Sequence, residues 1–170
     1  LAPVRLTEPQ PGVFIFDFGQ NFAGWARLRV KGPAGTRVRL RSGELLYDDG
    51  TLNGMTAVCG QIKGGGKDYR YEGQGQPKTA FQLDEYILKG QGTEIFTPRF
   101  TFHGFRYVEV TGFPGRPTLG ALEGLRLNAD VTPVGSFECS NPMFNRIQQM
   151  TQWTLLANLF SVQSDCPHRE

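Results

Sequence analysis

The feature that most constrains this fold is a two-residue alternation of apolar and charged side chains in short segments separated by glycine. In WARLRV, residues 25–30, alanine, leucine and valine share one parity and the two arginines share the other. TRVRLR, residues 36–41, repeats the pattern. Successive side chains of a strand point to opposite faces of a sheet, so this period predicts half-buried strands. Lys31–Gly35 between them has the composition of a turn, which predicts a hairpin.

Further strands are predicted as far as residue 130 or so, without a helical period between them. The segment VFIFDF, residues 13–18, is predicted to end at Gly19. Later strands are predicted within residues 79–88, 99–102, 105–111 and 119–127. In the first of these the apolar parity changes near Asp84 and Glu85, which predicts a β-bulge or a bend. Many short strands joined by glycine turns indicate an antiparallel β-sandwich or jelly roll.

The least regular stretch runs from Leu46 to Lys67. It contains the turn formers DDG and NG and a run of three glycines. Because no G-x-x-x-x-G-K-[ST] motif is present, a phosphate-binding loop is not supported. The stretch is predicted to be a long loop with at most a short strand.

A helix is predicted to begin at Ser140-Asn141-Pro142. Asn141 can cap the free N–H groups of the first turn, and proline is favourable at the first helical position. Two faces can be traced along this helix: Met143, Ile147, Met150 and Thr154 on one, and Trp153, Leu156, Ala157 and Phe160 on the other. Apolar residues on more than one side predict burial within a larger helical body.

The charge balance and the cysteine spacing do not support nucleic acid, a membrane or a metal ion as a partner of this chain. The net charge is +2, with 18 basic and 16 acidic residues, which gives no reason to expect nucleic acid or a membrane as a partner. The cysteines, Cys59, Cys139 and Cys166, have no metal-ligand spacing and are predicted to be free thiols. Free thiols favour a reducing, cytoplasmic compartment, but the localisation stays open.

Four ordered segments resemble the bacterial α-L-rhamnosidases of glycoside hydrolase family 78. These are FDFGQNFAGWARLRVKGPAGTRVRLRSGELLYDDGTLN, DEYILKGQGTEIFTPRFTFHGFRYVEVTG, GSFECSNPMFNRI and SVQSDCPHRE. The resemblance implies an accessory β-sandwich, jelly-roll or concanavalin-like, over residues 1–132. It implies that residues 133–170 are a linker and the opening of a catalytic (α/α)6 barrel, with its first helix. The chain also ends within a polar run, and we expect it to be a piece of a longer polypeptide.

The resemblance further implies an inverting hydrolase that removes terminal α-L-rhamnose without a cofactor or a metal. In many members the last segment reads D-C-P-x-R-D-E-R, so Asp165 and Arg169 match as substrate-binding residues. Glu170 stands one residue earlier than the proposed general acid of that motif. Either it replaces the second aspartate, or one residue is deleted and Glu170 is the acid. The general base is expected outside this chain, and the chain alone is expected to be inactive.

Each of these residues also has a structural interpretation. Asp165 could cap a helix, and Arg169 and Glu170 could form an exposed ion pair. A lone histidine such as His103 is more often structural than functional, and Trp25 is predicted to pack in the core rather than to stack on a sugar. The chain as a whole could be a stand-alone carbohydrate-binding module or a purely structural sandwich. The D-C-P-H-R-E ending and the capped helix favour the enzyme, because neither alternative needs them.

Overall fold

The computed structural model describes residues 1–57 and 82–167 as a β-rich domain followed by one long helix. The strands are β1 (Arg5–Gln10), β2 (Val13–Lys31), β3 (Arg37–Gly43), β4 (Leu45–Leu46), β5 (Leu52–Asn53), β6 (Leu83–Ile87), β7 (Thr93–Phe96), β8 (His103–Thr111), β9 (Leu122–Arg126), β10 (Leu159–Phe160) and β11 (Val162–Gln163). The helix is α1 (Pro142–Asn158), and short 3-10 helices span Gly54–Ala57 and Leu119–Ala121.

The long strand β2 organises the sandwich because its two halves have different partners. From Val13 to Gly24 it pairs antiparallel with β8, and the beginning of this part also pairs with β1; from Gly24 to Lys31 it pairs with β9 and then with β7. Strands β8, β3 and β6 extend the first layer. Buried residues from both halves, including Phe14 and Val30, belong to one hydrophobic core. The predicted antiparallel β-sandwich followed by a helix is therefore confirmed.

The prediction that a strand ends at Gly19 is wrong. Strand β2 continues for 19 residues, with a register shift between Asp17 and Phe22. Gly19 lies in this bulge with a φ of 72°. A bulge inserts residues and bends a strand without ending it, and β2 pairs with β8 both before and after this bulge.

The predicted hairpin between residues 25–30 and 36–41 is also wrong. Strand β3 pairs with β8 and β6, whereas the second half of β2 pairs with β7 and β9. Val30 and Val38 are both buried in the same core. The turn at Lys31–Gly35 therefore connects two strands that do not pair with each other. Alternation of side chains identifies a strand, but it does not identify the strand that pairs with it.

Two smaller predictions are wrong, and two strands were missed. From Leu83 to Ile87 the odd-numbered residues are exposed and Asp84 is buried, so no change of face occurs at Asp84–Glu85. No strand is present at 99–102; β8 begins at His103. Strands β1 and β7 were not predicted, since their charged and polar residues hide the alternation.

The irregular stretch that begins at Leu46 contains the end of β4, the strand β5 and the 3-10 helix Gly54–Ala57. Strands β4 and β5 pair with each other. The rest of that loop, from residue 58, lies outside the described residues, as does the glycine run.

Three phenylalanines fill the centre of the sandwich. The rings of Phe22 and Phe105 lie 4.5 Å apart between centroids, and Phe18 meets both of them edge-on at 5.6 and 5.7 Å. Gly124 of β9 lies against them, and a Cβ there would stand 2.5 Å from the Phe22 ring. Close contact between the layers therefore depends on a residue without a side chain at this point.

Replacement of Gly112 is expected to destabilise the sandwich strongly. Gly112 has a φ of 72°, and a Cβ there would lie 2.1 Å from the Arg37 carbonyl oxygen. Gly35 has a similar φ of 81° but open space around it, which makes Gly35→Ala a matched control. The left-handed backbone alone should cost about 1–2 kcal/mol in Gly35→Ala, whereas the added clash should raise the cost of Gly112→Ala to about 3–5 kcal/mol. Urea unfolding measures both, and equal losses would contradict the clash.

Helix α1 begins as predicted and packs on the sandwich along one of its two predicted faces. The Asn141 side chain accepts a hydrogen bond of 3.0 Å from the Met143 N–H, and Pro142 is the first helical residue. Trp153 packs against the sandwich core, and the Phe160 ring beyond the helix stacks on Phe102 at 4.7 Å. Met143 and Ile147 lie on the opposite face and are exposed within the described chain.

Candidate functional site

An open cleft of about 800 Å³ separates the sandwich from helix α1. Its sandwich wall contains the bulge of β2 at residues 19–21, together with Glu44 and Arg106. Its other wall is formed by α1 and by the segment 165–167 that follows β11. The cleft therefore lies where the two parts of the chain meet.

The sandwich wall carries a hydrogen-bonded pair from two distant segments. The side-chain amide of Asn21 donates a 2.8 Å hydrogen bond to a carboxylate oxygen of Glu44. The register shift between Asp17 and Phe22 places Asn21 in the bulge of β2. Since Glu44 follows directly after β3, the pair joins the two segments at the edge of the cleft.

An ion pair stands beside this amide–carboxylate pair. The Arg106 guanidinium donates two hydrogen bonds, of 2.8 and 2.9 Å, to the two carboxylate oxygens of Asp17. The hydrogen bond from Arg106 lowers the pKa of Asp17, assisted by the Gly19 N–H and opposed by partial burial. The same contact raises the pKa of Arg106. A two-point contact of this kind fixes the direction of the guanidinium at the cleft.

The helical wall presents an aromatic ring and a short chain of hydrogen bonds. Trp153 lines the cleft, and the Arg126 guanidinium lies 5.5 Å from its ring centroid. At the end of α1, the Asn158 carbonyl oxygen accepts a 2.9 Å hydrogen bond from the Ser164 N–H. The Ser164 hydroxyl also lies 3.3 Å from the Asn158 side-chain oxygen. These bonds hold the chain beyond β11 against the helix end and bring Asp165 to the cleft.

Of the three predicted site residues, the structure describes one. Asp165 is exposed and lines the cleft. Arg169 and Glu170 lie outside the described residues, so their roles stay predictions. Asp165 lines the same cleft as Asn21, Glu44 and Arg106, which the sequence did not associate with it.

Other acidic and aromatic residues considered in the sequence have structural partners. His103 is buried, with its ring nitrogens 2.7 Å from a Gln82 oxygen and 2.9 Å from an Asp84 oxygen, which agrees with a structural role. Glu85 pairs with two arginines of β3. Trp25 is half-buried outside the core cluster, and its indole N–H donates to the Thr101 carbonyl. The core position predicted for Trp25 is therefore not the one it occupies.

Sequence reasoning missed the sandwich wall because its partners are far apart in the chain. Asn21 and Glu44 are separated by 23 positions, and Asp17 and Arg106 by 89. No local motif links residues at such distances. The available signal was the unexplained polar run around Gly19, where the apolar alternation of β2 is interrupted.

Two general properties follow from the described residues. Cys139 is a free thiol, as predicted, and Cys59 lies outside the described residues. Within residues 1–57 and 82–167, no helix is both long and apolar enough to cross a membrane.

Comparisons with known proteins give one consistent family. Residues 7–128 match the bacterial α-L-rhamnosidase concanavalin-like domain, and residues 132–170 match the bacterial α-L-rhamnosidase 6 hairpin glycosidase domain. The α-L-rhamnosidase of Streptomyces avermitilis is 43% identical over 166 residues, covering 98% of this chain and 14% of the relative. One from Formosa agariphila is 33% identical, covering 99% of this chain and 16% of the relative.

Solved structures agree with these relatives. The α-L-rhamnosidase from Dictyoglumus thermophilum has a TM-score of 0.86 at 40% identity, covering 100% of this chain and 17% of that one. The Streptomyces avermitilis enzyme, solved in complex with L-rhamnose, has a TM-score of 0.85 at 42% identity, covering 99% of this chain and 14% of that one. The chain thus spans only about a sixth of the length of its relatives. Its sequence and its fold both place it in the bacterial α-L-rhamnosidase family.

Proposed function

We propose that this chain is part of an inverting glycoside hydrolase that removes terminal α-L-rhamnose from rhamnosides. Residues 1–132 are the accessory sandwich, and residues 133–170 are a linker and the opening of the catalytic (α/α)6 barrel. Adjacent matches to a sandwich domain and a glycosidase domain of the same family support this division. The remaining domains of the same polypeptide supply the rest of the site.

The roles of the site residues follow from the chemistry of inversion. One carboxylic acid protonates the leaving oxygen and a second carboxylate activates water on the opposite face of the sugar, with roughly 6.5–9.5 Å between them. Glu170 is the candidate general acid. Asp165 accepts hydrogen bonds from rhamnose hydroxyls, and Arg169 donates to the substrate. The general base lies elsewhere in the complete enzyme.

The position of Asp165 is the observation that carries this assignment. It is exposed at an open cleft, at the end of a segment that hydrogen bonds hold against helix α1. An exposed carboxylate in a cleft can accept hydroxyl hydrogen bonds, since each ionised oxygen has free acceptor sites.

Asp165→Asn in the complete enzyme is expected to reduce kcat/KM on rhamnosides about 10- to 150-fold, the equivalent of losing one hydrogen bond to a charged group. Asparagine keeps the shape of the side chain but loses the charge that strengthens these bonds. Steady-state kinetics on nitrophenyl α-L-rhamnoside measures the change. Asp48→Asn is the matched control, because Asp48 is an exposed sandwich carboxylate that does not line the cleft. Similar kinetics for both variants would remove Asp165 from the site.

A further inference from the structure

We propose that the sandwich contributes a subsite of its own, in which Asn21 and Glu44 bind a saccharide leaving group of the rhamnoside. This inference rests on the proposed function and adds a specificity to it. The two residues share one cleft with Asp165, the proposed rhamnose contact. A group attached to a rhamnose held at Asp165 therefore extends into a space that the sandwich helps to enclose.

The chemistry of the sandwich wall suits hydroxyl groups. An amide offers both donors and an acceptor, and a carboxylate offers acceptors only. Asn21 donates a 2.8 Å hydrogen bond to Glu44, so a donor group and an acceptor group stand next to each other at an exposed edge of the cleft. A hydroxyl group that binds there can contact both.

The opposite wall suits the apolar face of a sugar ring. Trp153 and Met150 of α1 line the same cleft as Asn21 and Glu44. Trp153 packs against the sandwich core and has the Arg126 guanidinium 5.5 Å from its ring centroid, so its orientation is fixed. Trp153 and Met150 therefore add apolar side-chain surface to the cleft that also contains the polar groups of Asn21 and Glu44. A pyranose has both hydroxyl groups and an apolar face, so it can contact both kinds of surface.

The size of the cleft agrees with more than one sugar. Its volume of about 800 Å³ lies towards the upper end of the range of about 300–1,000 Å³ that is usual for small-molecule sites. A single rhamnose does not need that space. We therefore assign the part of the cleft beside Asn21 and Glu44 to the saccharide that leaves.

The test compares two poor leaving groups in the complete enzyme: rhamnosyl-glucose disaccharides, linked α-1,2 or α-1,6, and methyl α-L-rhamnoside. Both need protonation of an alkoxide, so a damaged general acid affects them alike. Only the disaccharides carry a hydroxylated ring. For Asn21→Ala and Glu44→Ala, the ratio of disaccharide to methyl rhamnoside kcat/KM is expected to fall about tenfold, mainly through a higher KM for the disaccharide.

Glu123→Ala is the matched control, since Glu123 is an exposed carboxylate on β9, paired with Arg27 and absent from this cleft. It should leave the ratio at its wild-type value. If Asn21→Ala lowers the thermal midpoint, Asn21→Leu replaces it, because leucine has a similar shape and lacks the polar groups of the amide.

An unchanged ratio in both cleft variants, or equal losses on both substrates, would overturn the saccharide subsite while leaving the rhamnosidase activity intact. A loss of kcat/KM confined to aryl rhamnosides would also overturn the saccharide subsite, because the sandwich wall would then bind aromatic leaving groups. A wild-type enzyme that hydrolyses no rhamnoside would instead reject the proposed function, and the subsite with it.

Discussion

Glu170→Gln in the complete enzyme is expected to reduce kcat on a natural rhamnoside by about 10²–10⁴-fold, the usual contribution of general acid catalysis. The loss on nitrophenyl α-L-rhamnoside should be far smaller. A nitrophenolate leaves with little protonation, whereas a sugar or flavonoid alcohol needs a proton in the transition state. Glutamine keeps the size of the side chain but cannot supply that proton. The measurement is the ratio of the two losses in one preparation.

The ratio of the losses on the two substrates also distinguishes the two ways in which SDCPHRE can be aligned with the family motif. If Glu170 stands in place of the second aspartate of the D-C-P-x-R-D-E-R motif, both substrates should be slowed alike. The acid would then be a carboxylate elsewhere in the complete enzyme. Asp165→Asn provides the reference for a substrate contact, since loss of a hydroxyl contact slows both substrates without regard to the leaving group.

The purified 170-residue chain is expected to show no turnover of aryl rhamnosides. Inversion uses two carboxyl groups on opposite faces of the sugar, and the proposed base lies elsewhere in the complete enzyme. Loss of one acid–base partner costs about 10²–10⁴-fold by itself. In addition, the cleft of this chain is open, so a substrate bound in it would remain accessible to water.

Activity is compared with that of the complete enzyme at equal molar concentration. Circular dichroism rich in β-structure establishes that the isolated chain is folded, so inactivity cannot be attributed to unfolding. A rate near that of the complete enzyme would contradict the proposal that activity needs the remaining domains in addition to residues 1–132 and 133–170.

Local chemistry explains which parts of the fold could be predicted. The alternation in residues 25–30 and 36–41 identified strands because side-chain direction in a strand depends only on the parity of the residue. The helix start at Asn141 and Pro142 was predictable because capping involves residues two positions apart, here Asn141 and Met143. The family resemblance added Asp165, Arg169 and Glu170, since motif residues stand together in the chain.

The sequence by itself therefore determined the β-rich character of the chain, its capped helix and its family. Only the tertiary structure decided that β2 continues through Gly19, that β3 pairs with β8 and not with β2, and that Asn21 contacts Glu44 in the cleft that Asp165 also lines. The physical reason is that strand pairing depends on which apolar faces can share one core. The paired residues are far apart in the chain, so no short sequence pattern predicts the pairing.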